Sequence, residues 1–197
     1  MARLPAVRRR RQLLDVALQL FAARGFHGAS MDDMAEAAGV TKPVLYQHFG
    51  SKRELYLEVL DDVGNRLLDA IGKAAAAAGG PRQQVENGFS AYFRFVADNE
   101  SAFRVLFVGS GRDGDDREFV HAVRRVEDAI ADAIAVLIEA DIDDEHRRLL
   151  AHGIVGLAEG VGRHWVTNGL GLDPDVAAAW IAGLAWAGLR GLRPDAS

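Results

Sequence analysis

Residues 30–52, SMDDMAEAAGVTKPVLYQHFGSK, decide the fold. Ser30 is a good helix N-cap, and Asp33 three residues on closes a capping box, its charge favouring the positive end of a helix that starts near Met31. Ala35 is small where a second helix has to pass close. Gly39 follows the last helical residue, where left-handed backbone carries no Cβ penalty. Thr41 is placed to cap a second helix, and Pro43 is tolerated in its first turn because the missing N–H had no partner there anyway. That second helix, from Thr41 to Phe49, is barely two turns long. Isolated helices below about 12 residues are marginal in water, so its neighbours must hold it.

With Val44 or Leu45 and Phe49 turned inward, Thr41, Lys42, Tyr46, Gln47 and His48 are left on exposed or edge positions, and each can donate a hydrogen bond. Such a surface suits a helix whose first turn enters a DNA major groove while flanking polar groups meet phosphates. A solvated corner between two helices is the plainer alternative. Charge supports the first reading. The net charge is −5, but residues 1–60 hold nine Lys and Arg against six Asp and Glu, a net +3, and the remainder carries 14 against 22, a net −8. A basic head on an acidic body is the distribution expected of a polyanion-binding module with a separate second task.

Working outward, the stretch from Met1 to Gln12 carries Arg3 and Arg8 to Arg11 with no cap before the first apolar position, and is expected to be a frayed arm able to follow phosphates or a minor groove. Leu14, Ala17, Leu18 and Phe21 then recur at helical spacing up to a stop at Gly25 and Phe26. On the other side, Ser51 with Glu54 forms a second capping box for a long helix to about Ala78, with Lys52 in its first turn facing a phosphate. Leu60, Val63, Leu67 and Ile71 carry its apolar stripe, making one rigid lever from head to body. Helices follow from Pro81 to Asp98, from Glu100 to Val108 and from Arg117 to Ala140, the last two joined by a polar loop, Gly109 to Asp116. That loop lacks the Lys and Ser or Thr of a phosphate-binding loop. Two more helices run from Asp143 or Asp144 to Gly169 and from Asp173 and Pro174 to about Gly191.

The body offers two features. Phe89, Phe93, Phe103, Phe107 and Trp165 are bulky enough to line a cavity for an apolar ligand, with His121 and Arg125, one turn apart, as candidates for an acidic group on it; ordinary core and a solvated face are the alternatives. The last two helices are apolar or small on more than one side. Leu150, Ile154, Leu157, Val161 and Trp165 form one face of the first, Gly153, Gly156 and Gly160 a smooth strip, and Ala178, Trp180, Ile181, Ala182, Leu184, Ala185 and Trp186 nearly encircle the second. Each helical glycine costs about 1 kcal/mol against alanine, so three of them imply close backbone approach. Helices apolar all round need covering, and a chain of 197 residues has little else to cover them. The expectation is a homodimer joined by a four-helix seam.

The run Gly25-Phe26, then Ser30, Ala35, Gly39, Val40, Leu45, Tyr46, Phe49, Lys52 and Leu55 resembles the DNA-binding domain of the TetR family of bacterial repressors. The match covers roughly the first quarter of the chain. It implies an all-α protein with an N-terminal three-helix helix-turn-helix head, residues 1–52, and a larger helical body for effector binding and dimerisation, residues 53–197. By position in that pattern, Ser30, Thr41, Tyr46, His48 and Lys52 are the expected phosphate contacts, and Lys42, Pro43 and Gln47 the groups at base edges. Gln47 suits adenine, Lys42 guanine, and Pro43 only a thymine methyl. The implied function is a dimeric repressor on double-stranded operator DNA, released or engaged by a small, apolar effector.

Other classes lack their parts. No two of His27, His48, His121, His146, His152 and His164 stand four apart on one helix with a glutamate between them, the two Glu-x-x-His pairs of a di-iron bundle are not present, and Glu159 with Arg163 reads as an i,i+4 ion pair. The chain has no cysteine, which removes disulfides, thiolate metal sites and thiol nucleophiles. No catalytic residue, metal or cofactor is therefore expected. No apolar run approaches the ~20 residues of a membrane span, and the arginine-rich start lacks a signal peptide's apolar block, so a cytoplasmic protein is expected. A helical adaptor that binds protein alone is the rival reading.

Overall fold

The computed structural model describes residues 5–108 and 116–191, and every regular element among them is helical. Of the expected polar loop, all but Asp116 lies outside the described residues, as do residues 1–4 with Arg3. The helices are α1 (Ala6–Gly28), α2 (Met31–Ala37), α3 (Lys42–His48), α4 (Lys52–Ala76), α5 (Pro81–Asp98), α6 (Glu100–Phe103) running into a π-helical turn (Arg104–Val108), α7 (Arg117–Ala135), α8 (Asp144–Asn168) and α9 (Pro174–Arg190). The contacts form two compact units. One takes the residues through Gly64 with Ser101–Val123, the other Asn65–Glu100 with the residues from Arg124 on. The division falls within α4 and α7.

In the first unit α1 corrects one expectation. The arginine-rich segment is helix and not a frayed arm, because acidic residues of α4 receive it. Arg10 makes a two-pronged pair with Glu58 at 2.6 and 2.7 Å, and Arg11 binds Asp15 and Asp62. The Arg10 guanidinium also lies 4.5 Å from the centre of the Phe49 ring. The helix begins at Pro5, its N-cap residue, with no side-chain cap. Gly25, at φ 69°, breaks α1 where the sequence reading placed its stop, a backbone conformation that would strain any residue with a Cβ. Leu13, Ala17 and Phe21 of α1, Met34 of α2, Leu45 of α3 and Leu60 of α4 form its core. Phe119, at the start of α7, completes it, with its ring centre 4.7 Å from Phe26 and 4.6 Å from Tyr56.

In the second unit α9 packs along α5, and Arg94 clamps it to Asp175 at 2.8 and 3.1 Å. Asp143 caps α8 and Asp173 caps α9, each accepting from backbone N–H groups of the first turn, and Gly169 ends α8 in the left-handed conformation. Arg147 closes the loop before α8 by donating to the carbonyls of Ile138 and Ile142. α7 stops at Ala135, short of the expected Ala140, and Val136 beyond it is 79% exposed.

The inner face of α8 is Ala151, Val155, Ala158, Gly162 and Trp165, while the expected face of Leu150, Ile154, Leu157 and Val161 is only half-buried. Leu149, Gly153, Gly156 and Gly160, at i, i+4, i+7 and i+11, line an exposed side, and a Cβ built on any of the three glycines meets nothing within 4 Å. The close backbone approach expected of them does not occur among the described residues. α9 turns Ala178 and Ala182 inward and leaves Val176, Trp180 and Leu184, at i, i+4 and i+8, uncovered at 53, 77 and 61% exposure. None of the described residues covers that row.

Candidate nucleic-acid interface

The helix-turn-helix is assembled by short-range bonds. Ser30 Oγ accepts the Asp33 N–H at 3.1 Å, Asp33 accepts the Ser30 N–H at 3.0 Å, and the Ser30 hydroxyl donates to the same carboxylate at 2.6 Å. These bonds, the hydroxyl first, hold the Asp33 carboxyl below its ordinary range, with Arg24 at 3.1 Å adding to them. Gly39, at φ 64°, makes the corner, and the Val40 N–H reaches the Ala35 carbonyl. Gln12 of α1 donates to the Ala38 carbonyl and ties the corner to the first helix.

α3 is seven residues long and sits in this frame by two anchors, Leu45 with no exposure and Phe49 with 1%. Everything opposite them faces solvent. Thr41, Lys42, Pro43, Tyr46 and Gln47 are exposed, and 42/46 and 43/47 are i,i+4 pairs, so four of them make one continuous face. Thr41 occupies the N-cap position but spends no side-chain bond on it, which leaves its hydroxyl available to a ligand. Tyr46 is 43% exposed. His48 is half-buried beside Phe49 at the edge of the face. Lys42 is held 2.9 Å from Asp32 of α2, a contact that raises its pKa and that the sequence reading missed because the two residues are ten apart on different helices.

Two expected phosphate contacts are otherwise engaged. The Ser30 hydroxyl proton is committed to Asp33. The Lys52 ammonium donates to the Phe26 carbonyl at 2.8 Å and the Ala29 carbonyl at 2.9 Å, and lies 4.5 Å from the centre of the Phe26 ring. Lys52 thus closes the C-terminal end of α1, whose last carbonyls have no helical partner. The second capping box is also offset by one residue: Ser51 Oγ accepts the Glu54 N–H, but Glu54 reaches back to the N–H of Gly50.

The seven expected effector residues do not form one cluster. Phe89, Phe93 and Trp165 come together in the second unit, with ring centres 6.4 Å apart for the first two and 6.0 Å for the last two. Trp165 donates to the Leu170 carbonyl at 2.6 Å. Phe103 and Phe107, 5.0 Å apart, belong to the first unit, where the π-helical turn packs on α1; the aromatic residues serve two cores, which spacing alone does not separate. His121 and Arg125 are both exposed, the first in one unit and the second in the other. What the sequence reading missed is polar: Glu127 of α7 lies against Glu159 of α8. Among the described residues no group of three or more His, Cys, Asp or Glu is arranged to hold a metal, and no helix is long and apolar enough to cross a membrane.

Comparison with known proteins gives the same answer at both ends of the chain. Residues 13–59 match the model of bacterial regulatory proteins of the tetR family, and residues 81–188 that of the tetracyclin repressor-like C-terminal domain. The HTH-type transcriptional activator FasR of Mycolicibacterium smegmatis is 35% identical over 189 residues, 95% of this chain and 85% of that protein. A TetR-like transcriptional regulator from Rhodococcus sp. RHA1 shares 33% identity and superposes with a TM-score of 0.79, covering 96% of this chain and all of that one. The fold also matches the regulator FadR of Bacillus subtilis, solved with stearoyl-CoA, at a TM-score of 0.79 and 15% identity over 93% of this chain and 99% of that one. An all-helical chain whose first third builds a helix-turn-helix with a solvent-facing second helix, and whose sequence matches at both ends, belongs to the TetR family of transcriptional regulators.

Proposed function

We propose that this chain acts as a homodimer on an inverted-repeat operator and that a small, largely apolar effector controls its hold on the DNA. One observation carries the reading: α3 buries Leu45 and Phe49 and turns Thr41, Lys42, Pro43, Tyr46 and Gln47 to solvent. Lys42, Pro43 and Gln47 are the groups for base edges. Thr41, Tyr46 and His48 are the groups for phosphates, and Ser30 and Lys52 position the helix. Lys42 leaves Asp32 to reach a base, an exchange of one exposed ion pair for another contact that costs little.

Dimerisation is supported by the uncovered row of Val176, Trp180 and Leu184 and by the strip of Leu149, Gly153, Gly156 and Gly160. Paired about a two-fold axis, α8 and α9 of two copies cover each other, and the glycines let the backbones approach. The two α3 helices must then stand about 34 Å apart to enter successive major grooves, hence an inverted repeat. Phe89, Phe93 and Trp165 are the lining proposed for the effector, with a long acyl chain as the first compound to test, since the FadR neighbour was solved with one. α4 is one helix shared by both units, so a shift of its second half by ligand changes the separation of the reading helices. A coupling of about 1–3 kcal/mol suffices to alter operator affinity some 5- to 150-fold. Whether binding represses, as the sequence reading expected, or activates, as the name of the FasR relative has it, follows from where the operator lies relative to the promoter.

The test is binding of the purified chain to duplex from its own upstream region, with the salt dependence of affinity and the sedimentation of the free protein measured together. Salt-dependent, sequence-selective binding by a dimer is expected; a monomer, or no binding to that duplex, removes the proposal in favour of a protein-binding adaptor.

A further inference from the structure

The first turn of α2 carries two adjacent carboxylates with different fates. Asp33 is used inside the head, where it closes the capping box with Ser30 and meets Arg24. Asp32 takes no part in that box. Its side chain is 68% exposed and stands 2.9 Å from the ammonium of Lys42, the first residue of α3. Exposed ion pairs add little to stability, so the fold gives no strong reason for this one. An anion beside a helix that faces phosphates also weakens the encounter with DNA. We propose that Asp32 is a specificity-determining residue, which accepts from the N4 amino group of a cytosine while Lys42 donates to the guanine paired with it; the inference rests on the DNA reading of α3 made above.

Lys42 cannot move to a guanine without releasing Asp32. In a groove from which the protein displaces water, a released carboxylate is costly unless another donor replaces the ammonium. The major-groove edge of a G·C pair carries one in the right place. Guanine shows acceptors at N7 and O6, and the cytosine amino group lies next to O6, one hydrogen bond or about 2.9 Å away. Lys42 Nζ and the Asp32 carboxylate oxygen are separated by the same step, 2.9 Å. Donor and acceptor on the protein therefore match acceptor and donor on the base pair, and the exchange leaves neither charge unpaired.

Other base pairs fail part of the match. With adenine in place of guanine, the carboxylate faces thymine O4, which is an acceptor. With the pair reversed, Lys42 faces the cytosine amino group and Asp32 faces guanine O6. Thymine paired with adenine keeps one acceptor and one donor but sets a methyl group where guanine has N7. Lys42 alone, needing only an acceptor, would take adenine N7 as well as guanine. Asp32 is what excludes adenine.

The experiment selects duplexes from a pool with a random core, using the full-length parent and Asp32→Ala. Binding to the duplex the parent prefers is then measured with N4-methylcytosine at each cytosine in turn, a base whose methyl group replaces the amino hydrogen that faces the groove. The parent should fix one G·C pair in each half-site and lose about fivefold to a hundredfold in affinity when adenine replaces that guanine, whereas Asp32→Ala should accept either purine there and keep its other preferences. N4-methylcytosine at that pair should weaken the parent at least about fivefold and leave Asp32→Ala unchanged. Retained discrimination against adenine in Asp32→Ala, or an equal loss of both proteins on the methylated duplex, overturns the inference. So does an Asp32→Ala protein that binds every duplex tighter with unchanged preferences, for Asp32 then acts through its charge alone. The methylated duplexes also test the parent without any variant: undiminished affinity at every cytosine overturns the inference. A parent that selects no duplex removes the DNA reading itself and this inference with it; a parent that selects duplexes with no G·C pair fixed removes this inference alone.

Discussion

α3 and α9 each leave a face uncovered, and the two faces differ in what water does to them. On α3 the exposed groups are Thr41, Lys42, Tyr46 and Gln47 beside Pro43, mostly side chains that water satisfies at no cost. On α9 they are Val176, Trp180 and Leu184, and water penalises every square ångström of them. An uncovered polar face is thus stable alone and discloses its partner only by geometry, as donors spaced for a groove. An uncovered apolar row is a standing free-energy debt that only another surface removes, and discloses a partner by chemistry. On the proposed function, one helix binds and lets go and the other stays bound.

That contrast is broken most easily at α9. Trp180→Arg is expected to give a monomer in sedimentation with head and body still folded, because the residue touches nothing that the isolated chain needs. Full burial of such a side chain is worth about 1.5–3 kcal/mol, and a two-fold interface counts it twice, so dimer affinity should fall about a hundredfold or more and operator binding with it. A Trp180→Arg dimer of undiminished strength would move the seam elsewhere. The next effect is at α3. Gln47→Ala and Lys42→Ala should each cost about 1–3 kcal/mol on the preferred operator and relax specificity at one base pair, with the dimer intact; a uniform loss over all sequences would reassign the residue to phosphate.

The same contrast explains what the sequence disclosed. The frame around α3 was legible because its signals are local: Ser30 with Asp33, Gly39 at the corner, Leu45 and Phe49 four apart. The row on α9 was legible because apolar residues recur on more than one side of that helix, more than one packed face needs. Long-range partners were not legible. Arg10 and Arg11 meet Glu58 and Asp62 some fifty residues away, which turned an expected arm into helix. Lys52 was assigned from its place in a motif, whereas its ammonium is taken by two carbonyls that only the fold brings within reach. The aromatic residues of the body could not be assigned to one cluster from spacing, since Phe103 and Phe107 have the same spacing and type as Phe89 and Phe93 but pack in a different unit. Glu127 and Glu159, 32 positions apart, carry no local signature at all.

The smallest effects sharpen the boundary between reading DNA and holding the reader in place. Lys52→Ala removes two charge-assisted bonds to the end of α1, each of a kind worth about 1.5–3 kcal/mol at most, and some of that returns through water because the ammonium is only half-buried. A drop of about 1–3 kcal/mol in stability by chemical denaturation is expected, with the slope of operator affinity against salt unchanged. A slope lower by about one, with stability intact, would return Lys52 to the phosphate contacts. Ser30→Ala should do less, about 1 kcal/mol for a lost N-cap, and should weaken operator binding only as far as α2 frays. Ser30→Asp separates the two roles. It supplies a capping carboxylate but cannot donate to a phosphate, and it places a second anion beside Asp33, so retained operator affinity at low salt would mark Ser30 as a cap, and a loss beyond that of Ser30→Ala would mark it as a group the DNA backbone approaches.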